Sequence, residues 1–316
     1  MAKRILVTGG TGFIGGALVA ELLVRGYEVR IFARNPGRAS VELPRGIDVQ
    51  EWAGDGAPLS ISLLEDLESV IHLAGEPIAG GRWNEARKKR MIDSRVRSTE
   101  SLVRGLGALP TARRPRSFIC ASAIGYYGDR ASELLDESSP PGSGFLAELC
   151  RSWETATEPL DRLGIRRVNL RTGVVLHPSG GALAELLRVF RLGLGGPLGT
   201  GEQWMSWIHR DDEVAAILFL LAEDSLRGPV NAVAPTAVTN RQFSVLLGRA
   251  LGRPAVLRAP GFALRLALGE MAGILLDSQK VRPLKLEQAG FSFRYPDLPS
   301  ALAELLKSPS SSSISA

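Results

Sequence analysis

The chain has 316 residues, 45% apolar and 22% charged, the composition of an ordinary globular protein with enough apolar residues for one large α/β domain or a core with a smaller appendage. Its formal net charge of +5 suits phosphorylated ligands, nucleic acid or membrane surfaces without choosing among them. The two cysteines, Cys120 and Cys150, lack the paired spacing of a zinc site or a disulfide framework, so buried thiols and no bound metal are expected.

Val- and Ile-rich runs alternate with helical patterns through the first half, the signature of βαβ units in a doubly wound parallel sheet. The opening Met-Ala-Lys-Arg runs straight into a strand pattern, so no signal peptide is expected, and no apolar run is long enough for a membrane span; a cytoplasmic location follows. Residues 4–8 (RILVT) read as a buried strand, 12–25 as an amphipathic helix and 28–33 (EVRIFA) as the second strand. Strands follow at 49–52 and 69–74, a long polar helix at 85–105, a strand at 117–122, a helix at 144–163 and a strand at 167–176. Residues 192–204 (LGLGGPLGTGEQW) carry too much Gly for a regular element and read as a ligand-facing loop. Asp211 or Asp212 is expected to cap a helix ending at Ala222, and Thr239 or Asn240 one ending at Leu251; 260–276 also reads as helical. The polar end, SPSSSSISA, reads as a disordered tail.

The strongest motif is Thr8-Gly9-Gly10-Thr11-Gly12-Phe13-Ile14-Gly15, directly after the first strand and opening the first helix. Gly9 permits the tight turn, Gly12 lets the backbone approach a pyrophosphate, and Gly15 allows close helix packing. The helix start, through Thr11, Phe13 and Ile14, then offers N–H groups and a positive partial charge to phosphates. At the end of the second strand an acid would bind the ribose of NAD, but the chain reads Ala33-Arg34-Asn35-Pro36. A guanidinium at Arg34 suits a 2′-phosphate, which favours NADP(H). The fourth strand ends in Leu73-Ala74-Gly75-Glu76, small residues that let its edge pass close to the adenosine half. A Rossmann domain over 1–176, to which segments such as 211–235 can return, a mainly substrate-binding region over 177–306 and a tail over 307–316 are the expected divisions.

GGTGFIG, HLAG and SAIGYYG, at the ends of strands one, four and five, resemble the extended short-chain dehydrogenase/reductases. RWNEARKKRMIDSR, LRTGVVL, FRLGLGGPLGTGEQWMSWIHRDD and AGFSFRYP are similar to its atypical, epimerase-labelled subgroup. The resemblance implies NADP binding through the positions of Arg34, Leu73, Ala74, Arg95 and Arg171. Arg171 also ends a strand run, where a buried charge needs an anionic partner such as a cofactor phosphate or Glu76.

The superfamily's usual proton relay is a Tyr with a Lys four residues on and a nearby Ser. None of Tyr27, Tyr126, Tyr127 and Tyr295 has such a Lys; the matching positions are Leu146 and Cys150, and the serine position is Ala123 with Ser122 beside it. Remaining proton-transfer candidates are Tyr126, Tyr127 and Ser122 after strand five, with His209 and Asp211 across the expected cleft. Trp204 and Trp207 are expected on one face of a strand, lining an apolar pocket. The resulting reading is an NADP(H)-dependent oxidoreductase or epimerase with a small-molecule substrate. A non-catalytic NADP-binding sensor is the alternative. Arginines at 82–104 and 113–116 leave a polyanion face open, though neither nucleic acid nor a membrane is the expected partner, and the oligomeric state is open.

Overall fold

Strands that read as near-continuous apolar runs are those a parallel sheet buries on both faces. A computed structural model of the chain describes residues 3–307. Its first half runs β1 (Arg4–Thr8), α1 (Gly15–Val24), β2 (Glu28–Ala33), α2 (Pro36–Glu42), β3 (Asp48–Glu51), β4 (Ser69–His72), α3 (Glu85–Ala108), β5 (Ser117–Ala123), β6 (Leu134–Leu135), α4 (Phe145–Thr155), α5 (Pro159–Arg162), β7 (Arg166–Thr172) and β8 (Val174–Leu176). There follow α6 (Gly181–Arg191), β9 (Trp204–Met205), β10 (Trp207–His209), α7 (Arg210–Ala222), β11 (Gly228–Ala232), β12 (Val238–Thr239), α8 (Asn240–Leu251), α9 (Gly261–Leu268), α10 (Gly273–Leu276), β13 (Lys280–Val281), α11 (Leu284–Gln288) and α12 (Leu298–Leu305).

Seven strands form a parallel sheet in the order β11-β7-β5-β4-β1-β2-β3. The chain winds outward from β1 to β3, then returns to place β4 on the other side of β1. That reversal opens a crevice at the carboxyl ends of β1 and β4. Alternation divides the apolar side chains between two layers. Ile5, Val7, Ile31 and Ile71 face α1 and α7, whereas Leu6, Phe32, Val70 and Phe118 face α3 and Trp153 of α4. A third cluster, with Leu183, Leu187, Trp207, Phe243, Leu298 and Leu302, packs α6, α8 and α12 around the β8–β10 pair.

The departures from the sequence reading have local causes. The expected strand over 167–176 breaks at Gly173, where a Cβ would lie 2.7 Å from the Ser206 carbonyl oxygen, so β8 leaves the main sheet and pairs with β10. The helix over 144–163 is interrupted before Pro159, whose ring removes a backbone donor. Helix α2 was not expected, although Asn35 caps it by accepting from the Arg38 amide and Pro36 opens it. Helix α1 starts at Gly15 rather than residue 12, because the Gly12 amide closes a turn on the Gly9 carbonyl. The segment 260–276 divides at Gly269, with φ of +63°, into α9, a short 3-10 turn and α10. The cap of α7 is His209, not Asp211 or Asp212; the Asp212 carboxylate instead accepts from the Arg294 and Tyr295 amides. Thr239 caps α8 as expected, in a reciprocal box with Gln242. The SPSSSSISA segment lies outside the described residues.

Candidate functional site

The glycine loop crosses the sheet's reversal point, and its glycines are demanded by contacts that a side chain would break. Gly9 has φ of +70°, and a Cβ there would stand 2.9 Å from the Ala74 amide nitrogen. A Cβ on Gly15 would fall 2.1 Å from the Gly9 carbonyl oxygen, and one on Gly12 3.1 Å from it. The loop therefore folds on itself as well as against the end of β4. Thr11 and Gly12 remain exposed at its crest, before the start of α1, where backbone N–H groups are left over by helix geometry. With its crest exposed and these N–H groups left over, the loop fits a dinucleotide pyrophosphate. Phe13 and Ile14 are half-buried behind it. Ala33 is half-buried at the end of β2, with Arg34 exposed just beyond. Its neighbour Arg38 is engaged by Glu42 at 2.7 Å, whereas Arg34 makes no ion pair among the described residues.

A buried relay fastens the end of β1 to that of β4. The Thr8 hydroxyl accepts from the Ala74 amide at 3.2 Å and lies 2.6 Å from His72 Nδ1, while Nε2 meets the Ser98 hydroxyl at 3.2 Å. Burial, aided by the charge of Arg95, pulls the His72 pKa down to about 3, so the ring is neutral. The Ser98 hydroxyl donates its own proton to the Ser94 carbonyl at 2.7 Å, so it accepts the imidazole N–H at Nε2, and the threonine proton goes to Nδ1. Beyond this relay Leu73, Ala74 and Gly75 pass into Glu76, whose amide donates to Ser94. Arg95 reaches this stretch from α3; it is buried, stacks 5.1 Å from the Trp153 ring, and would sit 3.0 Å from a Cβ on Gly75. Burial lowers its pKa against the opposing pull of Cys150 and Glu76. Leu73, Ala74, Gly75, Glu76 and Arg95 are thus brought together at the β4 edge.

Arg171 finds its anion elsewhere than Glu76. Its guanidinium is bound at both ends by Glu154 of α4, each contact 2.8 Å, and donates to the Tyr127 hydroxyl at 3.0 Å. The plane lies 3.4 Å from the centre of the Tyr126 ring. Burial works against the charge, but Glu154 outweighs it and raises the Arg171 pKa above its usual value. Glu154 also accepts from Ser122 at 2.7 Å. The structure therefore joins Ser122, Tyr126, Tyr127, Glu154 and Arg171 into one cluster at the ends of β5 and β7. Sequence reasoning missed Glu154. The available signal was helical spacing: Leu146, Cys150 and Glu154 follow one another at intervals of four on α4.

The members of this cluster differ in availability. Tyr127 is fully buried and its hydroxyl donates its one proton to Asn231 Oδ1 at 2.7 Å, with the Asp136 carbonyl oxygen also within 3.0 Å; burial, only partly offset by Arg171, pushes its pKa up to about 12. Tyr126 is half-exposed. The Cys150 thiol is buried, which together with the Glu154 charge raises its pKa to about 11. His209 is buried against Tyr295, 4.0 Å between ring centres. Its Nδ1 accepts from the Asp211 amide and its Nε2 donates to Glu304 at 2.9 Å, which gives it a capping and packing role. Asp211 is exposed on the first turn of α7. Trp204 and Trp207 do not share a face: they lie on successive strands, Trp207 fully buried in the third cluster and Trp204 half-buried beneath the Lys280 ammonium.

Comparison with known proteins agrees with this geometry. Residues 5–232 match the NAD dependent epimerase/dehydratase family, and residues 259–305 match a domain of unknown function. The chain belongs to the NAD dependent epimerase/dehydratase family. An epimerase family protein of Mycobacterium tuberculosis, MT2273, is 40% identical over 305 residues, 96% of this chain and 97% of the relative. The human epimerase family protein SDR39U1 is 37% identical over 307 residues, 96% and 99% of the two chains. The crystal structure of human SDR39U1, isoform 2, with NADPH superposes with a TM-score of 0.84 at 35% identity, covering 96% of this chain and 98% of that one. The family membership accounts for the doubly wound sheet and the glycine loop together. Among the described residues no helix is long and apolar enough to cross a membrane.

Proposed function

We propose that this family member is an NADP(H)-dependent oxidoreductase or epimerase that acts on a small-molecule substrate in the crevice outside the carboxyl ends of β1 and β4. The observation that carries this reading is the glycine cradle beside an exposed Arg34 at the end of β2, unpaired among the described residues, where an acid would select NAD. The NADPH named with the human structure supports it. Residues 9–15 would hold the pyrophosphate, Ala33 and Arg34 the 2′-phosphate end, and Leu73, Ala74, Gly75, Glu76 and Arg95 the adenosine side. Residues 1–176, with α7 and β11 returning to the sheet, form the cofactor part, and 177–306 mainly the substrate part. When bound, the nicotinamide supplies hydride transfer.

Proton transfer falls to Tyr126. It is the tyrosine of the cluster with exposed surface, whereas the Tyr127 hydroxyl is consumed by Arg171, Asn231 and Asp136. Arg171, gripped by Glu154, fixes the Tyr126 ring from behind, and Ser122 completes the Glu154 shell, so these three are positioning residues. Arg171 thereby serves the cluster rather than a cofactor phosphate. A second reading, a non-catalytic NADP(H) sensor, draws on Leu146 and the buried thiol of Cys150, where the superfamily carries its Tyr and Lys.

Calorimetric titration with NADPH and NADH, followed by turnover on a panel of carbonyl and sugar substrates, tests both readings. NADPH-selective binding with turnover that falls about 100-fold or more in Tyr126→Phe is the expected result. Binding without turnover across the panel favours the sensor, and binding of neither nucleotide overturns both.

A further inference from the structure

Residues 225–269 contain six arginines and no aspartate or glutamate. The cofactor crevice does not use this charge. At the end of the run, the segment after α8 and helix α9 carry four strongly exposed large apolar side chains, Val256, Leu257, Phe262 and Leu266. Helix α9 buries none of its residues. Phe262 and Leu266, four positions apart and so on one helix face, are each 77% exposed, with Arg265 between them. A surface helix ordinarily turns such a face inward. Val256 and Leu257, 76% and 51% exposed, extend the patch. The Leu257 amide donates to the Gly195 carbonyl at 3.2 Å, which brings in the exposed Leu192 and Leu194 of the glycine-rich loop.

This face is anchored to the body. Arg258 Nε donates to the Gly199 carbonyl at 2.6 Å, Arg82 donates to the Leu266 carbonyl, and Lys88 pairs with Glu270 just past α9. The apolar side chains are therefore held outward on a fixed support, and a cluster of exposed apolar side chains of this kind marks an interaction site.

The charges choose the occupant. Arg191, Arg253 and Arg265 are exposed around the apolar projections and form no ion pair among the described residues. The sequence around the loop, 186–201, likewise has no acid. A second copy docked about a two-fold axis would set the same cationic patch against itself, which like-charge repulsion disfavours. Nucleic acid would engage the arginines but leave Leu192, Leu194, Val256 and Leu266 without a partner. An anionic lipid surface satisfies both sets at once, with phenylalanine and leucine at the acyl boundary and arginine at the level of the phosphates. We propose that α9, with the segments around Leu192 and Val256, docks the protein peripherally on anionic membranes.

The test is co-sedimentation of the full chain with vesicles of phosphatidylcholine alone and with phosphatidylglycerol added. Binding to the phosphatidylglycerol vesicles only, weakening as salt rises, is expected. The double variant Phe262→Ser/Leu266→Ser should lower the partition about tenfold or more, and Arg253→Glu/Arg265→Glu should abolish it. Both variants should keep the wild-type thermal midpoint and NADPH affinity, because neither pair is buried. No binding to the anionic vesicles at low salt overturns the proposal, as does full retention of binding by the Phe262/Leu266 variant. It is equally overturned if sedimentation equilibrium finds a dimer that this variant dissolves, which would give the face to a second copy.

Discussion

Arg34 and Arg171 each stand at the carboxyl end of a strand of the same sheet, yet one is exposed and without an ion pair among the described residues and the other is 2% exposed and held at both ends by Glu154. An exposed guanidinium is available to a ligand's phosphate. Replacing it in Arg34→Ala should therefore weaken NADPH about 10- to 100-fold, the worth of one or two charge-assisted hydrogen bonds, and leave NADH nearly unchanged by calorimetry. Equal losses for both nucleotides would remove phosphate recognition from Arg34. At Arg171 the consequence is structural. Glu154→Ala would leave a buried cation uncompensated, so urea unfolding should show a loss of about 3–5 kcal/mol, against less than about 0.5 kcal/mol for Tyr126→Phe. The exposed placement of Arg34 just past β2 was legible in the sequence because the strand and the residue after it are contiguous. The pairing of Arg171 was not: Glu154 and Arg171 lie 17 residues apart on a helix and a strand, and only the packing of α4 on the sheet selects that pair over Glu76.

At the scale of elements, sequence periodicity located the strands of the sheet because burial on both faces leaves a continuous apolar run, and it located α1 because the glycine loop punctuates its start. It passed over α2, whose Asn35-Pro36 start looks like a turn until the Arg38 amide is seen to be capped. It also ran β7 into β8, since the break at Gly173 is imposed by the distant Ser206 carbonyl rather than by neighbouring residues. The glycine loop offers a matched pair of substitutions. A Cβ at Gly15 meets the Gly9 carbonyl oxygen at 2.1 Å, whereas at Gly16 the nearest atom is the Gly10 oxygen at 3.8 Å. Gly15→Ala should thus displace the loop, lower the thermal midpoint and abolish measurable NADPH binding. Gly16→Ala, inside α1 and free of close contacts, should bind normally and gain up to about 1 kcal/mol from helix propensity. If Gly15→Ala kept wild-type affinity, the cradle would not be the cofactor's seat.

Across the whole molecule, two buried titratable groups on opposite sides of neutrality shape the stability of the fold. Glu213, on α7 beneath the end of β7, is buried with Oε1 accepting from Thr172 and Oε2 without a partner; burial raises its pKa to about 8, so at neutral pH it is mostly protonated. His72 is buried with its pKa lowered to about 3. For Glu213 the folded state binds the proton more tightly than the unfolded state, whose value is near 4.5, so its contribution is complete below 4.5 and is lost as pH rises through 8. For His72 the unfolded state binds the proton more tightly, so its contribution is complete above 6.5 and is lost as pH falls towards 3. Taken alone, the two groups make stability rise from pH 3 to 4.5, hold level to 6.5 as the slopes oppose, and fall towards 8. Glu213→Gln keeps an acceptor for Thr172 and removes the titration, so the decline above pH 6.5 should flatten. Its thermal midpoint relative to wild type should rise from pH 5 to about pH 8 and level off above that, reflecting a differential of the order of 4 kcal/mol at most. A difference between the two proteins that stays constant over that range would mean that Glu213 is ionised in the fold and that the alkaline slope has another source.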